Sequence, residues 1–97
     1  MQAYLISFVS VDETNRHLVF QLVDSFSDWA KINESTWIVL SAKTNTDIRD
    51  LLSTSMNTWQ EDAQKTPFIV MNVSNCGWAS HALDREITSW MKKKMRI

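Results

Sequence analysis

Four short apolar segments along the chain have the length and composition of β-strands. They cover residues 3–10, 29–33, 36–42 and 68–73. One face of the first segment carries Tyr4, Ile6 and Phe8. The other face carries Leu5 and Val9, so this strand is apolar on both sides, and the third segment has the same pattern. Strands of this kind belong in the centre of a sheet that is covered on both faces.

Three other segments repeat apolar residues with the helical period of about 3.6 residues. Within residues 14–26, the apolar stripe consists of Leu18, Val19, Leu22, Val23 and Phe26. The second helix begins near Thr44, which has capping-box spacing to Asp47, and its stripe consists of Ile48, Leu51, Leu52, Met56 and Trp59. The third helix is predicted from Ser80, as its N-cap, through Lys94, with the stripe Leu83, Ile87, Trp90 and Met91.

The predicted order of elements is therefore β-α-β-β-α-β-α. Two split β-α-β units predict an α+β fold, a ferredoxin-like β-α-β-β-α-β sandwich with a C-terminal helix and a four-stranded antiparallel sheet. The two-residue segment Glu34-Ser35 predicts a hairpin between the second and third strands, although it lacks the Gly or Asn that tight turns favour. We expect residues 1–97 to form a single ferredoxin-like domain.

In this arrangement the first two helices cover only one face of the sheet. Either the C-terminal helix or another subunit must cover the second face, because the central strands are apolar on both sides. We favour a homodimer as the interpretation, since an uncovered face would expose a large apolar patch.

Composition excludes several classes of protein. The chain has 97 residues, of which 44% are hydrophobic and 22% charged, a balance typical of globular rather than disordered proteins. A single Cys excludes a disulfide framework and a Cys-rich zinc module. No apolar run reaches the roughly 20 residues of a membrane helix, and the start of the sequence has no secretory signal pattern. We therefore expect a cytoplasmic protein without membrane partners.

The charge is unevenly distributed, although the net charge is only −1. Residues 1–48 hold three basic and six acidic residues, whereas residues 49–97 hold seven basic and five acidic ones. Four of the seven lie together at the end of the chain, namely Lys92, Lys93, Lys94 and Arg96. They are either the solvated end of a helix or a group that binds nucleic-acid phosphates.

The chain also has five tryptophans, of which Trp78 follows the only glycine, Gly77. Packing in the core or in a dimer is one role for Trp78, and stacking on a nucleic-acid base is another. The candidate residues for binding nucleic acid or a protein partner are therefore Trp78, Lys92, Lys93, Lys94 and Arg96.

The sequence lacks the residue patterns of common catalytic, metal-binding and phosphate-binding sites. Cys76, His81 and Asp84 lie close in sequence, but their spacing matches no nucleophilic or metal-binding signature, and we expect a buried Cys and a surface His. Gly-rich phosphate loops and the common hydrolase motifs are absent from the sequence. The residues themselves thus predict neither a metal site nor a cofactor.

Four segments in the same order resemble the SinR-like family, which is related to the second CRISPR-associated protein and to VapD-type ribonucleases. They are Tyr4-Leu5-Ile6-Ser7-Phe8, Glu34-Ser35-Thr36-Trp37-Ile38-Val39, Thr46-Asp47-Ile48-Arg49-Asp50-Leu51, and Gly77-Trp78-Ala79 followed by Trp90-Met91-Lys92-Lys93. The resemblance spans nearly the whole chain. It implies a ferredoxin-like fold, a homodimer, and a role in host defence or mobile elements.

Nuclease members of that superfamily resemble one another in an Asp directly after the aromatic residue that ends the first strand, where it can hold Mg²⁺. Here the residue after Phe8 is Val9, which has no oxygen ligand for a hard cation. We therefore expect a protein without nuclease activity that binds a partner protein or nucleic acid. The alternative is a metal-dependent endonuclease, acting on RNA or DNA, in which Asp12 is a displaced catalytic ligand and Mg²⁺ is the cofactor.

Overall fold

One antiparallel sheet of four strands organises the computed structural model, which describes residues 1–9, 11, 13–57 and 66–97. The strands are β1 (Gln2–Phe8), β2 (Asp28–Asn33), β3 (Thr36–Ser41) and β4 (Phe68–Asn72). The helices are α1 (Arg16–Asp24), which follows a short 3-10 turn at Glu13–Asn15, α2 (Asn45–Asn57) and α3 (Arg85–Lys94). The predicted α+β class and the βαββαβα order are confirmed.

The strand order in the sheet is β2-β3-β1-β4, so that β1 and β3 are the central strands. Leu5 of β1 lies opposite Ile38 of β3 on one side and opposite Met71 of β4 on the other. The prediction that the first and third strands are central is therefore confirmed. Their two apolar faces require two separate covering layers.

The first layer consists of α1 and α2. Tyr4, Ile6 and Phe8 point towards these helices and are at most 3% exposed. The helices bury most of the stripes that the periodicity predicts, with Val19 and Val23 from α1 and with Ile48, Leu52 and Met56 from α2. The prediction was wrong for Leu51, which is 40% exposed because it lies at the edge of the α2 stripe. Each buried aliphatic side chain contributes about 1.5–3 kcal/mol relative to its exposed state, so this layer supplies much of the stability.

The second layer is α3. Met91 and the following Met95 pack with Ala3 and Ile38 in a separate apolar cluster on the opposite face of the sheet. Leu5, Leu40 and Trp90 pack against this cluster. Of the two ways to cover the second face, the C-terminal helix is the one the structure contains. The homodimer stays a prediction, because, among the described residues, α3 leaves only the β4 side of this face exposed, at Ile69 and Met71.

A polar contact fixes α3 on the sheet. The Asp28 carboxylate of β2 accepts a hydrogen bond from Trp90 Nε1 at 3.0 Å and lies 3.3 Å from Lys94 Nζ. It also accepts the backbone N–H of Trp29 at 2.9 Å. Partial burial raises the pKa of Asp28, but the hydrogen bonds from Trp90, Lys94 and Trp29 outweigh burial and hold the pKa below its ordinary value.

The start of α3 differs from the sequence prediction. Ser80 is not the N-cap, because the helix begins five residues further on, and Asp84 caps it by accepting the Glu86 N–H at 2.8 Å. Ala82 has a left-handed backbone with φ of 58°, which no residue within a right-handed helix can adopt. The prediction of a helix from Ser80 was therefore wrong, although Leu83 still packs against the apolar cluster under α3.

Side-chain hydrogen bonds stabilise the start of α2 and the β2–β3 hairpin. The Thr44 hydroxyl accepts the Asp47 N–H at 3.1 Å, which confirms Thr44 as the cap of α2. In the β2–β3 hairpin the Asn33 carboxamide oxygen accepts the Ser35 N–H at 2.9 Å. This Asx-type turn explains how Glu34-Ser35 forms a hairpin without glycine.

No helix in the described ranges is long and apolar enough to cross a membrane.

We predict that Asp28→Asn lowers the free energy of unfolding by about 1 kcal/mol at pH 7. Asn keeps one acceptor oxygen but loses the charge, and the effect is smaller than that of a buried ion pair because both partners are partly exposed. Since folding lowers the pKa of Asp28 below 3.8, the stabilisation is present above that pH and is lost as the pH falls through the folded pKa.

Urea unfolding at pH 7 and at a series of acidic pH values measures this difference. Asp50→Asn is a suitable control, because Asp50 is exposed and, among the described residues, forms an ion pair only with the neighbouring Arg49. A stability difference between Asp28→Asn and the wild type that persists unchanged at the lowest pH would contradict the assignment.

Candidate nucleic-acid interface

The turn after β4 is tied to the end of α3. The backbone N–H of Asn75 donates to the Met95 carbonyl at 2.8 Å, and the Asn75 side-chain oxygen accepts the Ile97 N–H at 2.9 Å. Asn75 has a left-handed backbone with φ of 58°, a conformation that Asn tolerates better than most residues. The turn and the helix end are thereby held at a fixed distance.

A cleft of about 760 Å³ lies between these two segments. One wall is the turn Asn75-Cys76-Gly77-Trp78, and the other is the last turn of α3 with the residues after it. Met91 and Met95, both nearly buried, belong to this second wall. The volume of the cleft lies in the range of small-molecule binding sites.

The charge in the cleft is positive. Lys92 and Arg96 line it, and none of its lining residues is acidic. Neither side chain forms an ion pair with any described residue. Lys92 lies in the last turn of α3 and Arg96 lies two residues after the end of the helix, and both line the cleft. The cleft therefore presents two cations that no described acidic side chain pairs with.

Trp78 is half-buried. Part of the side chain packs against the apolar cluster under α3, while the residue also lines the cleft. An indole fixed in this way presents a rigid aromatic surface at small cost in side-chain entropy. Both roles that the sequence leaves open for Trp78 are therefore compatible with its position.

The five predicted binding residues separate into two groups. Trp78, Lys92 and Arg96 come together in the cleft. Lys93 is exposed but does not line the cleft, and Lys94 pairs with Asp28 as part of the attachment of α3. The basic end of the chain is thus neither a uniform solvated face nor a uniform phosphate-binding group.

Cys76 corrects another expectation. A buried Cys was expected in this turn, but Cys76 is exposed at the cleft. Trp78 and the two methionines fill the apolar space beneath the turn, which leaves the thiol on the outside. His81 is exposed as expected, and the Asp84 carboxylate is engaged as the cap of α3.

The catalytic alternative depends on Asp12, which lies outside the described residues, as does Trp59 of the predicted α2 stripe. Val9, the residue after Phe8, is 77% exposed. Among the residues that the structure describes, no cluster of three or more His, Cys, Asp or Glu side chains could hold a metal ion.

A smaller cavity of about 290 Å³ lies between α1 and the β2–β3 hairpin and is also lined by basic side chains. These residues were not among the predicted binding residues. There Glu34 lies 3.8 Å from Arg16 and 3.3 Å from Lys31. Trp37 lines this cavity, and its buried Nε1 has no hydrogen-bond partner among the described residues. Because Glu34 already neutralises part of the charge, this cavity is a weaker anion site than the cleft.

The wall formed by Asn75, Cys76 and Gly77 was also missed from the sequence. Its one signal was the single Gly of the chain next to an aromatic residue. The partner of that wall, the last turn of α3, is far away in sequence, so local pattern could not reveal the cleft.

No protein-family model matches the chain, and comparison with curated proteins and with solved structures gives no significant match.

Proposed function

We propose that the protein is a nucleic-acid-binding module that does not cleave its ligand. The observation that carries this proposal is the meeting of Trp78 with Lys92 and Arg96 in one cleft, with neither cation engaged by a described acidic residue. A nucleic-acid strand supplies both complements, because its phosphates pair with the cations and its unpaired bases stack on indole. An acidic protein segment would satisfy the charge but not the aromatic surface.

We further propose that the fold is a ferredoxin-like sandwich of the SinR-like superfamily. Support comes from the βαββαβ order with the strand order β2-β3-β1-β4 and both core helices on one face. In this scheme α3 is an addition that covers the second face. The resemblance of the four sequence segments points in the same direction and carries the proposed defence or mobile-element context.

The residue after the end of β1 supports the proposal that the protein does not cleave nucleic acid. Val9 is an exposed aliphatic residue at the position where the superfamily's nucleases place a carboxylate, and a methyl group cannot coordinate Mg²⁺. The alternative endonuclease depends on Asp12 as a displaced ligand.

A homodimer remains part of the proposal, and the most suitable surface is the side of β4 that α3 leaves open. Ile69 and Met71 are 55% and 49% exposed there. They lie on the same sheet face as Leu5, while Phe68 and Val70 point to the opposite core. Since β4 is an end strand of the sheet, a second copy could pack on this apolar strip.

For the binding surface, we predict that Lys92→Gln/Arg96→Gln weakens binding of a labelled single-stranded oligonucleotide at least tenfold at low salt. Each lost phosphate contact should also reduce the slope of log K against log salt by about 0.7 for a single strand. Fluorescence anisotropy over a series of salt concentrations, with oligothymidylate and oligouridylate of about 12 nucleotides, measures both quantities.

The control variant for this measurement is Lys43→Gln/Arg85→Gln. It removes the same charge from two exposed residues that do not line the cleft. Equal weakening by both double variants would show that net charge alone, and not the cleft, drives binding. Competition by an acidic peptide that equals competition by the oligonucleotide would favour a protein ligand instead.

For catalysis, we predict no cleavage of RNA or DNA oligonucleotides by the purified protein with either Mg²⁺ or Mn²⁺. The reason is the missing oxygen ligand at Val9. Gel analysis of end-labelled substrates after prolonged incubation provides the measurement. Metal-dependent cleavage that disappears in Asp12→Ala would replace the proposed function by the endonuclease alternative.

For assembly, we predict a two-chain mass in sedimentation equilibrium. Met71→Lys should give a one-chain mass, because it places a charge on the proposed contact strip. Leu51→Lys is the control, since Leu51 is an exposed apolar residue on α2, away from that strip. A one-chain mass for the wild type at all concentrations would refute the homodimer and leave the binding proposal intact.

A further inference from the structure

Gly77, the only glycine of the chain, has no role in the fold that requires glycine. Its backbone does not have a positive φ, so a side chain would cause no conformational strain. A Cβ built on Gly77 would meet no heavy atom within 4 Å. Glycine at such a position adds conformational entropy to the unfolded chain without relieving strain or a clash in the folded state.

Gly77 lies in the cleft that we propose as the binding site of the nucleic acid. It lies in the cleft wall directly before Trp78, and Lys92 and Arg96 line the same cleft. The space that its missing side chain leaves open is therefore next to an aromatic surface and two cations. Glycine is the residue that permits the closest approach of a ligand to the backbone.

The backbone around Gly77 also retains hydrogen-bonding capacity. The N–H groups of Asn75 and Cys76 are engaged by the carbonyls of Met95 and Val73. The N–H groups of Gly77 and Trp78 donate to no acceptor in the described part of the chain. Two consecutive free N–H groups beside uncompensated cations favour a phosphate oxygen as their acceptor.

We infer that a phosphodiester of the bound strand packs directly on Gly77 and accepts a hydrogen bond from the backbone N–H of Gly77 or Trp78. This inference rests on the proposed function and adds the contact that positions the strand. Lys92 and Arg96 neutralise the phosphate charge, and the adjacent base stacks on Trp78. A methyl group at position 77 would occupy the space that the phosphate needs.

The first test compares Gly77→Ala with the wild type. We expect the variant to fold with an unchanged or higher urea midpoint, because Ala fits the backbone and meets no neighbour. We expect its affinity for the labelled oligothymidylate to fall at least tenfold. Ser80→Ala is the matched control, since Ser80 is exposed in the same loop but does not line the cleft, and its affinity should stay within about twofold of the wild type.

The second test does not depend on a variant. Selective ¹⁵N labelling of glycine gives a single amide signal, because the chain has one glycine. Titration with the oligothymidylate should shift this signal, whereas thymidine, which has no phosphate, should leave it in place. Titration with inorganic phosphate alone distinguishes a site for any phosphate from one that needs the neighbouring base, in which case the signal moves only with the oligonucleotide.

The outcomes separate the two proposals. If the oligonucleotide binds the wild type and Gly77→Ala equally well and the Gly77 signal does not move, the inference is wrong while the proposed function stands. If the wild type binds no oligonucleotide, the proposed function fails and the inference fails with it. A signal that shifts equally with inorganic phosphate and with the oligonucleotide would contradict positioning of a strand.

Discussion

The structure depends on covering both faces of the two central strands. β1 and β3 place apolar side chains on each side of the sheet, and an open face would leave a large apolar surface in water. Two helices provide one cover, as the βαββαβ order dictates. The second cover comes from α3, which packs Met91 and Met95 on Ala3 and Ile38. That second cover also determines where the candidate site lies.

The basic residues at the end of α3 and just after it take different positions. Met91 and Met95, four residues apart, face the sheet. Lys94 lies on the side of β2 and binds Asp28. Lys92 and Arg96, also four apart, line the cleft under the turn that contains Gly77. Burial of the methionines and the bond to Asp28 therefore fix the direction in which the remaining cations project.

The sequence was sufficient for the strands, the core helices and the central position of β1 and β3, because each of these depends on a local pattern. The helices follow the 3.6-residue period of their apolar residues, and the central strands are apolar on both faces. The start of α3 was not predictable in this way. Ser80 and Asp84 are both good helix caps, and the choice between them depends on the left-handed backbone at Ala82. The backbone conformation of Ala82 depends on how the loop reaches the second sheet face. It is therefore set by the tertiary structure and not by the local sequence.

Three residues of the candidate site were predictable from the sequence, but their grouping and the opposite wall of the cleft were not. Trp78, Lys92 and Arg96 were singled out from residue type and position, whereas the role of Lys94 in holding α3 depended on Asp28, far away in sequence. The exposure of Cys76 likewise followed from which larger side chains filled the space beneath the turn. Packing competition between distant segments is not encoded in a local pattern.

The net charge of −1 decides what kind of binding the cleft can support. A protein with little net charge has no strong long-range field to attract a polyanion, and the Debye length of about 8 Å at physiological salt limits attraction to the immediate surroundings of the cleft. Affinity must then come from short-range contacts, namely two cations, an aromatic surface and free backbone N–H groups. Stacking is insensitive to salt, whereas the phosphate contacts are not. For the proposed function, we therefore expect a short, unpaired stretch of nucleic acid to bind better than the backbone of a long duplex.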